Sequence, residues 1–191
     1  MRPIVSLACC AIAASLLPLS ETRAAETVPV PHFTAVGLKG GGTVRIVPAA
    51  VQRVVIREGS SAYTSIKVEH GRSLEIRNCD RSCPANYRFD VEIQTPNLDA
   101  VAVSNGGSLT FAGGFAPQKD IAVAVSNGGK IDMRSLSARE VSAAVNSGGS
   151  IEIGAPFQLS AAVNSGGAIR YRGNPDVSSA VSSGGSVERV Q

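Results

Sequence analysis

Val103-Ser-Asn-Gly-Gly107 opens a phrase that recurs as Val125-Ser-Asn-Gly-Gly129, Val145-Asn-Ser-Gly-Gly149, Val163-Asn-Ser-Gly-Gly167 and Val181-Ser-Ser-Gly-Gly185. An aliphatic follows each Val six residues on: Leu109, Ile131, Ile151, Ile169 and Val187. The closing glycines, Gly107, Gly129, Gly149, Gly167 and Gly185, are 22, 20, 18 and 18 residues apart. The step from Val to aliphatic never changes, so all the variation lies in the connection that follows. Self-similarity at this period marks stacked repeats. A strand rises about 3.3 Å per residue, so one unit is roughly 60–70 Å of path, enough for one lap of a coil stacked about 4.8 Å from the next.

The spacing predicts an all-β fold: a parallel β-helix (β-solenoid) of about five C-terminal coils over 97–191, with a strand-rich N-terminal part over 27–96. Both belong to one domain, 25–191. Val103, Val125, Val145, Val163 and Val181 form one inward column and the aliphatics a second. Phe111, Met133, Ile153 and Tyr171 form a third, which Arg189 breaks in the last unit. The glycine pairs Gly106-Gly107, Gly128-Gly129, Gly148-Gly149, Gly166-Gly167 and Gly184-Gly185 turn the chain at positive φ without a Cβ clash. Gly41-Gly42, after Leu38, makes an early copy of the corner. The same phrase could also tip an antiparallel hairpin, and a meander of hairpins would repeat at similar intervals.

Between Pro48 and Pro96 the phrase is lost. Arg53–Arg57, Ser65–Glu69, Ser73–Arg77 and Phe89–Ile93 instead alternate apolar and polar residues, as strands with one buried face do.

Composition narrows the classes. Aromatics make up 4% of 191 residues, with no Trp, so the core is built from Val, Ile, Leu and Ala in many thin layers. Net charge is +3 without a Lys/Arg run, which excludes a phosphate-tracking surface and sets nucleic acid aside as a partner. Residues 1–24 read as a secretory signal peptide: Arg2, an apolar run from Ile4 to Leu19, and a small-residue site at Ala24. An exported protein of the periplasm, outer envelope or exterior follows. There Cys79 and Cys83 pair as a disulfide that pins a short loop. His32 and His70 are isolated, and no cofactor or metal is expected.

The repeated Ser-Asn-Gly-Gly and Asn-Ser-Gly-Gly turns, with Ile169-Arg-Tyr-Arg-Gly-Asn-Pro175 and the closing Ser-Ser-Gly-Gly-Ser-Val187, resemble the auto-transporter adhesin head domain family, also called the head GIN domain. The similarity runs from about Phe33 to Val190. The family's Ser-Gly-Ser-Gly turn is here Asn/Ser-Gly-Gly. The resemblance implies a bacterial envelope or secreted β-helix with an adhesive role and brings no catalytic residues.

Two outward columns carry the functional expectations. Seven residues after each Val stand Thr110, Asp132, Glu152, Arg170 and Glu188. Stacking sets Asp132 beside Glu152 at a separation that suits a retaining glycosidase, so a carbohydrate-active β-helix enzyme is the alternative. A solvated charge ladder neutralised by Arg170 is the plain reading. Just before each Val stand Ala102, Ala124, Ala144, Ala162 and Ala180, preceded by Ala100, Ala122, Ser142, Ser160 and Ser178. This flat strip predicts a contact face for a second copy, or for an unknown protein or glycan surface. The C-terminal coil, without an evident cap, offers a second route to a homo-oligomer.

Overall fold

The computed structural model describes residues 25–80 and 82–191, and their regular elements are all strands. The expected signal peptide, 1–24, lies outside the described residues. The strands are β1 (Glu26–Val28), β2 (Ala35–Lys39), β3 (Thr43–Pro48), β4 (Arg53–Glu58), β5 (Ser65–Glu69), β6 (Ser73–Arg77), β7 (Asp90–Thr95), β8 (Ala100–Ser104) and β9 (Ser108–Phe111). They continue with β10 (Gln118–Ser126), β11 (Lys130–Met133), β12 (Ala138–Asn146), β13 (Ser150–Ile153), β14 (Gln158–Asn164), β15 (Ala168–Tyr171), β16 (Asp176–Val181) and β17 (Ser186–Arg189).

They form two mixed sheets. The nine-stranded sheet runs β1-β4-β7-β3-β9-β11-β13-β15-β17 and the eight-stranded sheet β16-β14-β12-β10-β8-β2-β6-β5. From β8 onward the chain alternates between them. One strand of the eight-stranded sheet, a glycine corner and one strand of the nine-stranded sheet make a pass. Each strand pairs in parallel with its counterpart in the next pass. Val103, Val125, Val145, Val163 and Val181 share one register, and Leu109, Ile131, Ile151, Ile169 and Val187 another. The corners therefore join different sheets, and the hairpin meander is overturned.

β2 and β3 are an earlier pass of the same kind, with Leu38 beside Val103 and Val44 beside Leu109. The chain then makes β4–β7 on the far side before returning to lay β8 and β9 on β2 and β3. There β6 and β7 pair in parallel with β2 and β3, and β5, β4 and β1 add antiparallel strands. Both sheets run through the compositional change near residue 96, and one hydrophobic core spans both parts.

Alternation supplies that core. In β14, Leu159, Ala161 and Val163 are buried while Gln158, Ser160, Ala162 and Asn164 are exposed. Each fully buried aliphatic contributes about 1.5–3 kcal/mol, but no single pass could bury its own inward residues without its neighbours. β4 departs from one-faced alternation, since Val54, Val55 and Ile56 are all buried. Val55 faces Glu92 across the strands, and Glu92 pairs with Arg57; stems of long charged side chains cover apolar surface in this way. Cys79 and Cys83 are disulfide-bonded in the loop between β6 and β7, with Cα atoms 5.6 Å apart.

The corners divide the work of their residues differently from the expectation. Positive φ falls on the residue before the pair and on its first glycine: Asn127 at 51° and Gly128 at 80°. The same holds for Asn105 and Gly106, Ser147 and Gly148, Ser165 and Gly166, and Ser183 and Gly184. This is the two-residue left-handed step of a type I′ turn, closed in two corners by the Gly129 N–H donating to the Ser126 carbonyl and the Gly185 N–H to the Ser182 carbonyl, both at 3.3 Å. The second glycine, Gly107, Gly129, Gly149, Gly167 or Gly185, has an ordinary φ and is needed for space. A Cβ on Gly129 would lie 2.8 Å from Val103 Cγ1 and 3.1 Å from the Val103 carbonyl. On Gly149, Gly167 and Gly185 it would strike Val125, Val145 and Val163, and on Gly107 it would strike Leu38. The early corner is built otherwise: Gly40 and Gly42 hold the positive φ, and Gly41 has neither a left-handed φ nor a close neighbour.

The two glycines of one corner should thus fail differently. Gly129→Ala forces a methyl onto Val103 and should cost about 1–3 kcal/mol. Gly128→Asn, at a left-handed φ with open space around it, should cost well under that. Urea denaturation midpoints of the two variants, compared with the parent, check the order.

Candidate functional site

The outer faces of the two sheets differ in chemistry although one repeat builds both. On the nine-stranded sheet the register aligns Thr110, Asp132, Glu152, Arg170 and Glu188 on neighbouring strands. Asp132 and Glu152 are direct neighbours, as the spacing predicts. Their partners are not the expected ones. Arg134, in the loop after β11, reaches both: Nη2 lies 2.5 Å from Asp132 Oδ2 and Nε lies 3.1 Å from Glu152 Oε2. Lys130 Nζ adds a contact of 3.4 Å to Glu152 Oε1. Arg170 joins no ion pair among the described residues. The neutralising cations thus lie two residues either side of Glu152's neighbour on β11, not on the ladder.

The hydrogen bonds from the Arg134 guanidinium hold the Asp132 carboxyl below the usual carboxylate range, outweighing the opposing effect of partial burial. A retaining glycosidase needs one carboxylic acid that keeps its proton near neutrality, hence a raised pKa. Here the shared guanidinium works in the opposite direction. Among the described residues, no cluster of His, Cys, Asp or Glu is arranged to hold a metal ion.

On the eight-stranded sheet, Ala102, Ala124, Ala144, Ala162 and Ala180 stand in one register and point outward, all exposed. Gly37 of β2 continues the column and Ala35 continues its neighbour. Beside it run Ala100, Ala122, Ser142, Ser160 and Ser178. Strand spacing makes the strip roughly 25 Å long. It floors an open, shallow groove of about 690 Å³.

The surroundings of this floor carry information that reading outward from the Val phrase missed. Five residues before each of the last four Val residues come Asp120, Glu140, Gln158 and Asp176, an outward rim of acids and one amide along one long side. The same count backward from each Val would have found it. On the other long side stand Ser104, Ser126, Asn146, Asn164 and Ser182, where Ser182 Oγ donates to Asn164 Oδ1 at 2.8 Å. At the β6 end an ion-pair network closes the strip: Lys39 Nζ to Glu75 Oε2 at 2.7 Å, and Arg77 Nη2 to Glu75 and Glu69 at 3.0 and 3.3 Å. Lys39 and Glu75 are far apart in sequence and meet through the pairing of β2 with β6, while Glu69, Glu75 and Arg77 are neighbours on β5 and β6.

The eight-stranded sheet thus presents a small-residue floor between an acidic rim and a Ser/Asn rim, on an all-β, two-sheet frame. Residues 112–175 match the family described as "Putative auto-transporter adhesin, head GIN domain". The match runs from the end of β9 to Pro175. Two solved structures are similar in fold. One is described as a putative adhesin from Bacteroides fragilis, at 14% identity and a TM-score of 0.56, covering 87% of this chain and 96% of that one. The other, a putative adhesin from Parabacteroides distasonis, has 15% identity and a TM-score of 0.50, covering 87% and 96%. No curated protein matches the sequence.

The Asp132 linkage has a definite sign. Its pKa is lower folded than unfolded, so the stabilisation is complete above the unfolded value near 3.9 and is lost as pH falls through the folded value. Asp132→Asn should lower the urea midpoint at pH 7 by a small amount, and the gap to the parent should close in strong acid. A gap that does not narrow as the pH is lowered from neutrality into strong acid would contradict the assignment.

Proposed function

We propose that this chain is a non-enzymatic scaffold of the cell envelope or exterior, wound as a β-solenoid, which binds through the small-residue face of its eight-stranded sheet. The solenoid reading is supported by the alternation of passes between sheets and by the in-register parallel pairing of every pass with the next. Export is supported by the signal-like residues 1–24 and by the adhesin family matched over 112–175. The partner is a second copy, or a flat protein or glycan surface.

One observation carries the reading. Across five successive passes the two central outward columns of that sheet hold only Ala and Ser, while the equivalent column on the other sheet holds Thr, Asp, Glu, Arg and Glu. Exposed alanines are unremarkable singly. A continuous uncharged strip, bordered by acids, amides and ion pairs, is a surface from which water leaves at low cost. Flatness matters equally: without long side chains, the partner's own relief meets backbone and methyls over the whole length.

The carbohydrate-active alternative has the neighbouring carboxylates in its favour and their shared guanidinium against it. Purified protein incubated with acidic and neutral polysaccharides should release no new reducing ends, and Asp132→Asn should leave that result unchanged.

The contact face is tested by Ala144→Lys with Ala162→Lys. The pair should weaken self-association in size-exclusion chromatography with light scattering, or retention on envelope extract and glycan arrays, by about tenfold or more, while the thermal midpoint moves little. Equal behaviour of parent and variant in all three assays would remove the face from consideration.

A further inference from the structure

The stacked sheets end differently at their two ends. At one end β1 and β5 are antiparallel additions. At the other, β16 and β17 are parallel strands that, among the described residues, each pair with one neighbour, β14 and β15. A bare parallel edge invites another strand. The inward residues of this pass read Val177, Ser179, Val181, Val187 and Arg189. Two of the five break their columns. Ser179 is in register with Ala161, which continues Ala143, Val123 and Val101. Arg189 is in register with Tyr171, which continues Ile153 and Met133. Both are exposed. The Arg189 guanidinium donates to Asn174 Oδ1 at 3.3 Å, which turns it toward the loop before β16. The remaining aliphatics do not make up a dry surface: Val181 is 48% exposed where the preceding passes keep theirs buried.

We propose that β16 and β17 form a polar cap whose Ser179 and Arg189, standing at inward positions, bar a second copy of this chain from docking its own last pass there. Docking would bury the Ser179 hydroxyl and the Arg189 guanidinium, whose one hydrogen bond goes to the neutral Asn174 amide, at positions that are apolar in the earlier passes. Burial of an unpaired charge is among the costliest events in a protein interior. An inward-pointing charge at a sheet edge is a known guard against edge-to-edge pairing. This replaces the expectation that the C-terminal coil is a route to assembly, and it leaves the proposed contact face untouched.

The test restores the column in a background where the other face is blocked. In protein carrying Ala144→Lys and Ala162→Lys, Ser179→Ala with Arg189→Ile should create a concentration-dependent dimer. Its association should be about tenfold or more tighter than in the background alone, equivalent to about 1.4 kcal/mol. The partners would meet end to end about a two-fold axis. Amide hydrogen exchange should show new protection confined to 176–189 in the dimer, which non-specific aggregation would not produce. Arg189→Ile alone, at an exposed site that leaves folding intact, should show the same effect in weaker form. A double variant that stays monomeric with native circular dichroism would overturn the proposal. Concentration-dependent protection of 176–189 in the unaltered chain would overturn it equally, since the cap would then not be barring anything.

Discussion

Each corner's second glycine lies against an aliphatic of the pass before it, Leu38 at Gly107 and a valine at the other four, and the regularity of the array depends on that close approach. Gly129 leaves no room for a Cβ beside Val103, and the same nesting recurs at Gly149, Gly167 and Gly185. Because the glycine is bare, the backbones come near enough for a hydrogen bond at each corner. Lys130 N donates to the Gly107 carbonyl at 2.9 Å, Ser150 N to Gly129 at 3.0 Å, Ala168 N to Gly149 at 3.0 Å and Ser186 N to Gly167 at 2.9 Å. The corner thus pins both sheets at once. A slip of one residue in either sheet would turn every inward side chain outward, and the valine–glycine contact holds the step from one sheet to the other at six residues.

Once that step is set, the outer faces are free to differ, because outward residues touch only their counterparts in adjacent passes. The nine-stranded sheet uses this freedom for charge. Arg134 and Lys130 knit Asp132 to Glu152, and Arg57 holds Glu92. The eight-stranded sheet confines its charge to the margins and leaves the centre smooth. Ion pairs between half-exposed groups add little to stability. The charged face is therefore better understood as a surface kept in water than as a brace. The smooth face has no such solvation to lose.

Much of the array was legible because its signals are local and repeated. The Val column, the aliphatic column and the outward alanines lie where counting from the phrase places them, and the strands β4 to β7 fall where alternation marks them. The legible part stops where a contact depends on which strands become neighbours. The pairing of β2 with β6 and of β3 with β7, on the side away from the later pass β8–β9, leaves no periodic trace, so the Lys39–Glu75 link is not legible in the sequence. The glycine pair misled differently. Its composition suggested two turn glycines, whereas the turn takes the Asn or Ser before it and only the first glycine. The second answers to a valine some twenty residues away. Asn gives the same lesson. Asn105 and Asn127 sit on the left-handed position and bond side chain to side chain at 3.1 Å. Asn146 and Asn164 sit one place earlier and bond at 3.4 Å. The exchange from Ser-Asn to Asn-Ser reads as drift in one dimension. In the stack it splits the amides into two pairs in adjacent columns, Asn105 with Asn127 and Asn146 with Asn164, with Ser126 beside Asn146 where the two orders meet.

The passes are nonetheless not interchangeable, and the reason joins two facts that look separate. The repeat shortens from 22 to 18 residues along the array. Over the same passes the strands of the eight-stranded sheet go from nine residues in β10 and β12 to seven in β14 and six in β16. The inward position two before the Val falls in size along the same path, from Val101 and Val123 to Ala143 and Ala161. A shorter lap encloses a smaller cross-section, and interiors are packed to a density that tolerates neither voids nor excess methylenes. A large residue there would overfill a late pass, and a small one would leave an early pass hollow. The narrowing runs on to the pass in which Ser179 and Arg189 stand in register with apolar residues of the pass before.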